Sequence, residues 1–228
     1  MGKRGLGYGS EDHLRRYITD HEEQLNREVS KRTGAAVTKA RWLAFPRDSH
    51  GIEREFRALD FLPLEDSQSV LAEWSKFWPA RGHKQSWDAI GQAGRTWLLV
   101  EAKANHPEFC SPPTGASGAS LAQIRRALGR VKRDLGVHHW FNWTGTYYQY
   151  ANRLATLWFL RTHGVDARLL FIYFVGDRFP DSTPCPASEK EWSELIEARR
   201  LTLGLPVNHA LSPYEDHVFL PALPADPA

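Results

Sequence analysis

Two carboxylates and one amine stand in two neighbouring apolar segments of this 228-residue chain. Asp88 lies in the segment Ser-Trp-Asp-Ala-Ile-Gly (86–91), and Glu101 and Lys103 end the segment Leu-Leu-Val-Glu-Ala-Lys (98–103). Burying an acid and a lysine in such a strand costs free energy unless they pair or bind a ligand. These residue types at this spacing therefore predict a functional cluster.

The turn between the two segments decides whether the three side chains can meet. We predict an antiparallel hairpin with a loop of two or four residues centred on positions 93 and 94, which pairs Asp88 with Leu99. Opposite side chains share a face, as do residues two apart along a strand, so Asp88, Glu101 and Lys103 project from one face. A three-residue loop would move Asp88 to the other face.

Such a cluster is suited to a hard divalent cation. Two carboxylates and a main-chain carbonyl, here that of Ala102, offer the oxygen ligands that Mg²⁺ or Mn²⁺ prefers. The ion would polarise a phosphate and lower the pKa of a bound water. Lys103 would orient that water or stabilise charge on the phosphate. The chemistry predicted is metal-dependent hydrolysis of a phosphodiester.

The arrangement Asp88…Glu101-x-Lys103 resembles the signature of the PD-(D/E)XK nuclease superfamily, with Trp87 where the name has proline. The resemblance covers about residues 68 to 176 and points to an uncharacterised branch. It implies a restriction-endonuclease-like α/β fold with an αβββαβ core, in which helices flank a central mixed sheet as three layers. It also implies a metal-dependent nuclease, for which DNA is favoured over RNA as the substrate, although the sequence does not choose between the two. The order of helices and strands along the chain independently favours a layered α/β sheet.

Two other classes of protein stay open. The chain could be a catalytically inactive nucleic-acid-binding relative, although all three signature residues are present. It could also be an unrelated α/β module in which Glu101 and Lys103 form a structural pair on a solvent-exposed face. His138, His139 and His163 are a weak candidate for a transition-metal site, because adjacent histidines seldom converge.

Many superfamily members place a further metal-binding glutamate on the helix that leads into the core. Apolar spacing predicts a helix over Gln68–Phe77, ended by Pro79, and Glu73 lies on it. A second candidate for the leading helix is the charged segment Glu11–Ser30. In that case the relevant acid is Glu22, Glu23 or Glu28.

Two further helices carry candidate nucleic-acid contacts. The helix predicted over Ala119–Leu135 has an apolar stripe and an opposite basic one, with arginines at i, i+4 and i+7 that could follow a phosphate backbone. A loop rich in serine and glycine precedes it, and could receive a phosphate or simply cap the helix. The helix predicted over Tyr147–Arg161 carries polar residues that resemble the superfamily's contribution to the site. The candidates are Arg126, Arg130 and Arg133 on the first helix, Ser117 before it, and Gln149 and Arg153 on the second.

The remaining pattern completes a single domain over residues 11–210. An apolar run over Ala167–Gly176 predicts a buried strand, and Ser188–Leu203 a helix capped by Ser188 with Glu191. We expect residues 1–10 to be a flexible arm and the Pro-rich residues 211–228 to be irregular.

Composition bounds location and partners. Hydrophobic residues make up 42% of the chain, the net charge is only +2, and there are two cysteines without metal-binding spacing. The sequence contains no apolar run long enough for a membrane span, and its N-terminus lacks a signal-peptide pattern. We therefore expect a cytoplasmic protein whose partner is nucleic acid rather than a membrane, and a homodimer stays open.

Overall fold

The structure, a computed structural model, describes residues 7–34, 37, 39–47, 50, 53–80 and 85–225. Within these residues the chain has an α/β architecture with seven α-helices and a five-stranded mixed sheet. The helices are α1 (Ser10–Asp20), α2 (Glu22–Thr33), α3 (Leu64–Phe77), α4 (His106–Phe109), α5 (Gly118–Asp134), α6 (Tyr148–Thr162) and α7 (Glu189–Thr202). The strands are β1 (Arg41–Trp42), β2 (Phe56–Arg57), β3 (Ser86–Trp87), β4 (Ala89–Ala93), β5 (Thr96–Lys103), β6 (Ala167–Val175) and β7 (Glu215–Pro221).

The main sheet has the strand order β1-β4-β5-β6-β7. Strand β4 is antiparallel to both of its neighbours, β1 and β5, whereas β5, β6 and β7 run parallel to one another. Strands β2 and β3 form a separate short ladder. The central position of β5 and β6 explains why they are almost continuously apolar, because a central strand covered on both faces cannot show polar alternation.

Helices cover both faces of the sheet. One face packs against α3, α5, α6 and α7 in a large core that includes Trp74, Ile124, Leu154 and Trp192. The other face packs against α1 and α2 in a smaller core. The predicted α/β class with a mixed sheet between helices is confirmed at this level.

The hairpin between β4 and β5 has a two-residue loop and the predicted even register. The pairing of its two strands is shifted by two residues from the predicted pairing, which moves the loop by one residue. Ala93 pairs with Thr96, and Ala89 pairs with Val100. The loop is therefore centred on Gly94 and Arg95 rather than on Ala93 and Gly94. Gly94 has a φ of +59°, and a glycine as first central residue is typical of the type II′ hairpin turn. The turn places Gly94 where positive φ is needed.

Four of the predicted elements are confirmed to within one or two residues: β6, α5, α6 and α7. Ser188 caps α7 as predicted, because its hydroxyl accepts a hydrogen bond from the Glu191 amide at 3.2 Å. Helix α3 starts at Leu64, four residues before its predicted start, and ends at Phe77 as expected. The loop predicted over residues 105–120 also contains the short helix α4.

The predicted helix Glu11–Ser30 is wrong as a single element, because the chain turns at His21 between α1 and α2. Helix α1 contacts β5 and β6, whereas α2 contacts β7. The apolar stripe indicates which residues are buried, but a stripe alone does not require that one straight helix carries them. The break lets each helix cover a different part of the sheet.

Both predicted terminal segments need correction. Residues 1–6 of the expected arm lie outside the described residues, but Gly9 is held, since its amide donates to Asp177 at 2.9 Å. The expected irregular tail contains β7, in which Val218 and Leu220 are buried. Edge strand β7 is fastened to β6 by Asp216, which accepts two hydrogen bonds from Arg168.

In the part of the chain that the structure describes, no helix is both long and apolar enough to cross a lipid bilayer.

Candidate active site

Asp88 lies in the bend between β3 and β4, beside the end of β5. Its amide donates to the Val100 carbonyl at 3.2 Å. Its carboxylate Oδ2 accepts a hydrogen bond from the Ala102 amide at 2.7 Å. The β4–β5 ladder ends at the pair of Ala89 and Val100, and Asp88 lies in the bend just outside it. The two acids are close enough for the negative charge of Glu101 to act on Asp88, and a single cation shared by both stays a prediction.

Glu101 is only 1% exposed and is held by two cations. Lys103 Nζ lies 2.5 Å from Oε1, and Arg153 Nε lies 2.7 Å from Oε2. The Arg153 guanidinium also donates to the Ser86 carbonyl and lies 4.4 Å from the centre of the Trp87 ring. Arg153 thus joins α6 to β5, which carries Glu101, and to β3, which leads directly into Asp88.

Lys103 is positioned by the first turn of α6. Its Nζ donates to Gln149 Oε1 at 2.8 Å, and the Gln149 amide donates to Ser111 Oγ at 2.9 Å. The Lys103 side chain is 12% exposed. With Gln149 and Ser111, it lines a cavity of about 410 Å³. The structural-pair alternative expected Glu101 and Lys103 on a solvent-exposed face. The structure instead places both side chains at the border of a cavity or in the interior.

The two carboxylates differ in their electrostatics. Burial, and then the negative charge of Glu101, raises the pKa of Asp88 to about 8. Burial also disfavours the charged form of Glu101, but the charges of Arg153 and Lys103 outweigh it and lower the pKa of Glu101. At neutral pH, Glu101 is thus the anion and Asp88 retains a proton that a bound cation would displace.

The residues present could hold a small divalent cation, although no group of three or more His, Cys, Asp and Glu side chains forms a metal site among the described residues. Asp88 Oδ1 has no donor among them, and each oxygen of Glu101 keeps a second lone pair. The Ala102 amide points toward Asp88, and the carbonyl of a strand residue points to the same side as its amide. This donor set matches Mg²⁺ or Mn²⁺, which retain several waters.

Glu73 does not join this cluster. Its side chain is exposed and pairs with Lys76 at 2.6 Å on the same helix. The other charge that acts on it is His163, at the far end of α6 from Gln149. The alternative acids do not join either, because Glu22 and Glu23 are exposed and Glu28 pairs with Lys31 at 2.6 Å.

The candidate nucleic-acid contacts divide into two groups. Gln149 and Arg153 belong to the cluster. Arg126, Arg130 and Arg133 are exposed on α5, opposite its buried stripe, and Ser117 is exposed before α5 without a side-chain capping bond. A role for the exposed residues in binding nucleic acid stays a prediction.

Sequence reasoning missed how deeply the polar side of α6 is buried. Asn152, Arg153 and Thr156 are each less than a tenth exposed, and Thr156 Oγ1 donates to Gln85 at 2.6 Å. The signal was available, since these polar residues stand in a helix that is otherwise almost entirely apolar. Ser111, which positions the first turn of α6, had no comparable signal.

Comparison with family models, with curated proteins and with solved structures gave no significant match.

Proposed function

We propose that the protein is a divalent-metal-dependent phosphodiesterase that hydrolyses nucleic acid, of the PD-(D/E)XK kind. One observation carries the proposal. Asp88, whose Oδ1 has no donor among the described residues, lies near the buried Glu101, whose charge acts on it, and Lys103 stands two residues beyond Glu101 on β5. A carboxylate with an open oxygen near a second carboxylate is an arrangement that suits a divalent cation.

The topology supports the same class. In the main sheet, β1, β4 and β5 are successive antiparallel strands that follow helices α1 and α2, and helices α5 and α6 lead on to β6, an order similar to the restriction-endonuclease-like αβββαβ core. Strand β2, helix α3 and strand β3 stand between β1 and β4 along the chain. The acids lie at the end of β5, and β6 runs parallel to β5 beside it. From α6, the helix that precedes β6, Gln149 contacts Lys103 and Arg153 contacts Glu101.

Asp88, Glu101 and the Ala102 carbonyl would hold the cation. When bound, Mg²⁺ or Mn²⁺ supplies a polarised phosphate and a more acidic water. Lys103, at the border of the cavity, would stabilise negative charge on the phosphate or orient the attacking water. Gln149 holds the Lys103 ammonium in place. Arg153 holds Glu101 ionised and oriented, so both cationic side chains act on the site without binding the metal.

Charge balance predicts that metal and substrate bind together. When all four groups are ionised, the two cationic side chains, Lys103 and Arg153, cancel the two carboxylates, Asp88 and Glu101. Such a site attracts a divalent cation weakly until a phosphate adds negative charge, and Mg²⁺ is commonly shared between protein carboxylates and substrate phosphates. Weak metal binding without nucleic acid is therefore an expected property of this site.

The test is cleavage of labelled single-stranded, duplex and branched DNA and of RNA with Mg²⁺ or Mn²⁺. We expect DNA cleavage by the natural sequence, and a loss of about 10³-fold or more in rate with Asp88→Asn, since a metal supplies several kcal/mol of transition-state stabilisation. Asparagine keeps the shape and the acceptor for the Ala102 amide but removes the negative charge. Ca²⁺ should bind without supporting turnover, because its looser coordination activates water poorly.

Glu53→Gln is a matched control, because Glu53 pairs with Arg15 and Arg47 away from the cluster. It should leave the rate unchanged. Failure of the natural sequence to cleave any of these substrates with either metal would contradict the proposal. The inactive nucleic-acid-binding alternative would then be favoured if the protein still bound DNA.

A further inference from the structure

A second and larger cavity, of about 880 Å³, lies between α5 and the segment that follows it. Its lining is basic and aromatic, and the described residues that form it include no acid. The polar and aromatic side chains that matter here are Arg125, Lys132, Arg133, His138, Trp140 and Asn142. Positive charge without a compensating acid favours an anionic ligand.

Trp140 is exposed although the segment around it is firmly held. The indole is 64% exposed, whereas Val137 and Trp143 on either side of it are buried. Trp143 Nε1 donates to the Leu203 carbonyl at 2.9 Å. Lys132 Nζ donates to the carbonyls of residues 139 and 141 at 2.8 and 2.9 Å, which fastens the segment to α5. The fold therefore presents a large aromatic surface to solvent from an ordered backbone.

The exposed indole is part of a stack. The imidazole of His138 lies parallel to the Trp140 ring, with 4.2 Å between ring centres and 5° between planes. Another flat aromatic group can extend such a stack, and nucleobases do so on exposed tryptophan in proteins that bind single strands. In a base-paired duplex the faces of the bases are already stacked, so this surface selects an unpaired base.

Cationic side chains line the same cavity as the aromatic stack. Arg125 and Arg133 border the cavity, and Arg126 and Arg130 continue the exposed basic side of α5. Asp134 is the acid of this helix, and its carboxylate accepts a hydrogen bond from Trp158 Nε1 at 3.0 Å. A base on the aromatic stack and phosphates on arginine is the usual combination in proteins that bind single strands.

This cavity adjoins the one at the acid cluster. The Thr144 carbonyl, at the border of the large cavity, accepts a hydrogen bond from the Thr114 amide at 3.0 Å. Thr114 also lines the smaller cavity, together with Lys103 and Gln149. A strand bound at Trp140 therefore has a short path across these two threonines to the site of hydrolysis.

We propose that the large cavity binds an unpaired nucleotide of the substrate strand, with its base on the stack of His138 and Trp140 and its phosphates on Arg125 and Arg133. This inference rests on the proposed function and narrows it. The substrate is a single strand, or a duplex with an unpaired segment, rather than an intact duplex.

The experiment measures binding, so it does not depend on catalysis. The full chain carrying Asp88→Asn is titrated against fluorescein-labelled oligothymidylate of about 20 nucleotides, longer than the site sizes usual for single-strand binders. Trp140→Ala should weaken binding about tenfold, in the range found when one stacked base loses its aromatic partner, and Trp140→Phe should weaken it less. The same strand built from abasic nucleotides should bind both Trp140→Ala and its parent equally.

Leu64→Ala is the control, because Leu64 is 72% exposed on α3 and lies outside this cavity. It should bind as the parent does. Arg125→Gln with Arg133→Gln should weaken both oligonucleotides and lower the slope of log affinity against log salt by about 0.7 for each lost phosphate contact. A blunt duplex should bind more weakly than the single strand.

Equal losses on the thymidylate and abasic strands, or no loss with Trp140→Ala, would overturn this inference. Cleavage of an intact duplex that is unaffected by Trp140→Ala would leave the phosphodiesterase proposal standing alone. Base-dependent binding by a protein that cleaves nothing would support the nucleotide site and reject the phosphodiesterase proposal.

Discussion

Two buried glutamates, Glu101 and Glu215, face the same side of the sheet and yet have different surroundings. The ladders pair Glu101 with Phe171 and Phe171 with His217, so β5, β6 and β7 share this face. Glu215 lies two residues before His217 on β7, so its side chain is on the same face of the sheet. Nearby cations and hydrogen bonds lower the pKa of each glutamate despite its burial.

The partners of Glu215 are a hydroxyl and basic groups. Tyr150 donates its hydroxyl to Glu215 at 2.7 Å, His217 Nε2 lies 3.4 Å away, and the charge of Arg199 acts on the carboxylate. Burial raises the pKa of the neighbouring acid, Asp216, as it does that of Asp88. Because Asp216 points to the opposite face of the sheet, it pairs with Arg168 through both oxygens. The Glu215 cluster thus surrounds one carboxylate with a hydroxyl and basic groups, and the Tyr150 hydrogen bond fastens β7 to α6.

The Glu101 cluster differs because it contains a second carboxylate, that of Asp88, which forms no ion pair with Lys103 or Arg153. Asp88 accepts one hydrogen bond from the Ala102 amide and shares the site with Glu101. The comparison shows that a buried glutamate paired with a basic group can have a purely structural role. The feature that marks a site is a second carboxylate, close to the first, that keeps an open oxygen and a raised pKa.

The largest expected difference between the two clusters is in catalysis. Glu101→Gln should lower the rate of phosphodiester cleavage about 10³-fold or more, because it removes a charge that holds the metal. Glu215→Gln should leave the rate per folded molecule nearly unchanged. Rates are measured with saturating Mg²⁺ and normalised to the folded fraction from circular dichroism.

That normalisation is needed because Glu101→Gln leaves Arg153 buried without its carboxylate. The free energy of unfolding should fall by about 3–5 kcal/mol, the usual cost of breaking a buried pair. Adding Arg153→Met should recover part of this stability without restoring cleavage. A loss of rate in Glu215→Gln as large as that in Glu101→Gln would contradict the distinction between the clusters.

The next effect is on the pH dependence of stability without metal. Since folded Asp88 keeps its proton up to about pH 8, and the unfolded chain releases it near pH 4, the folded state binds more protons in this window. The free energy of unfolding should therefore fall as the pH rises from about 4 to about 8. Asp88→Asn should remove this trend and be more stable than the natural sequence at about pH 8, by about 1–3 kcal/mol.

Urea denaturation across this pH range measures the trend. Glu215 supplies the opposite sign, since its pKa is lowered by folding. Its contribution is complete above the pKa of an unfolded glutamate, about 4.3, and is lost as the pH falls through the folded value. The destabilisation caused by Glu215→Gln should thus shrink in acid. Parallel curves for Asp88→Asn and the natural sequence would remove the electrostatic argument for Asp88.

The smallest expected effect is that of a positioning residue. Gln149→Ala removes the acceptor that holds Lys103, and we expect about tenfold lower kcat with little change in KM or in metal binding, the usual size for a supporting shell. Gln123→Ala is the matched control, because Gln123 bonds only backbone carbonyls at the end of α3. An unchanged kcat, or a loss confined to KM, would show that Gln149 does not act through Lys103.

Much of the site could be predicted because its information is local. The apolar segments, the acids within them and the even parity of the hairpin all follow from residues within about one hairpin of each other, where side-chain alternation leaves few choices. The exposed basic side of α5 and the limits of α6 follow from helical periodicity. Even the one-residue displacement of the turn could be predicted locally, because both primed hairpin turns need a positive φ at their first central residue, which glycine adopts more readily than Ala93.

Only the tertiary structure decided what each polar group faces. Helical spacing set Gln149 and Arg153 on one side of α6, but their bonds to Lys103 and Glu101 depend on α6 packing across β5, far away in sequence. Glu73 was a candidate only because the superfamily places a glutamate on its leading helix, and packing left the Glu73 side chain in solvent. Strand β7 and the break at His21 were likewise set by long-range contacts with the sheet. Sequence periodicity determines which side of an element is polar, whereas the partner that this side meets is a property of the assembled layers.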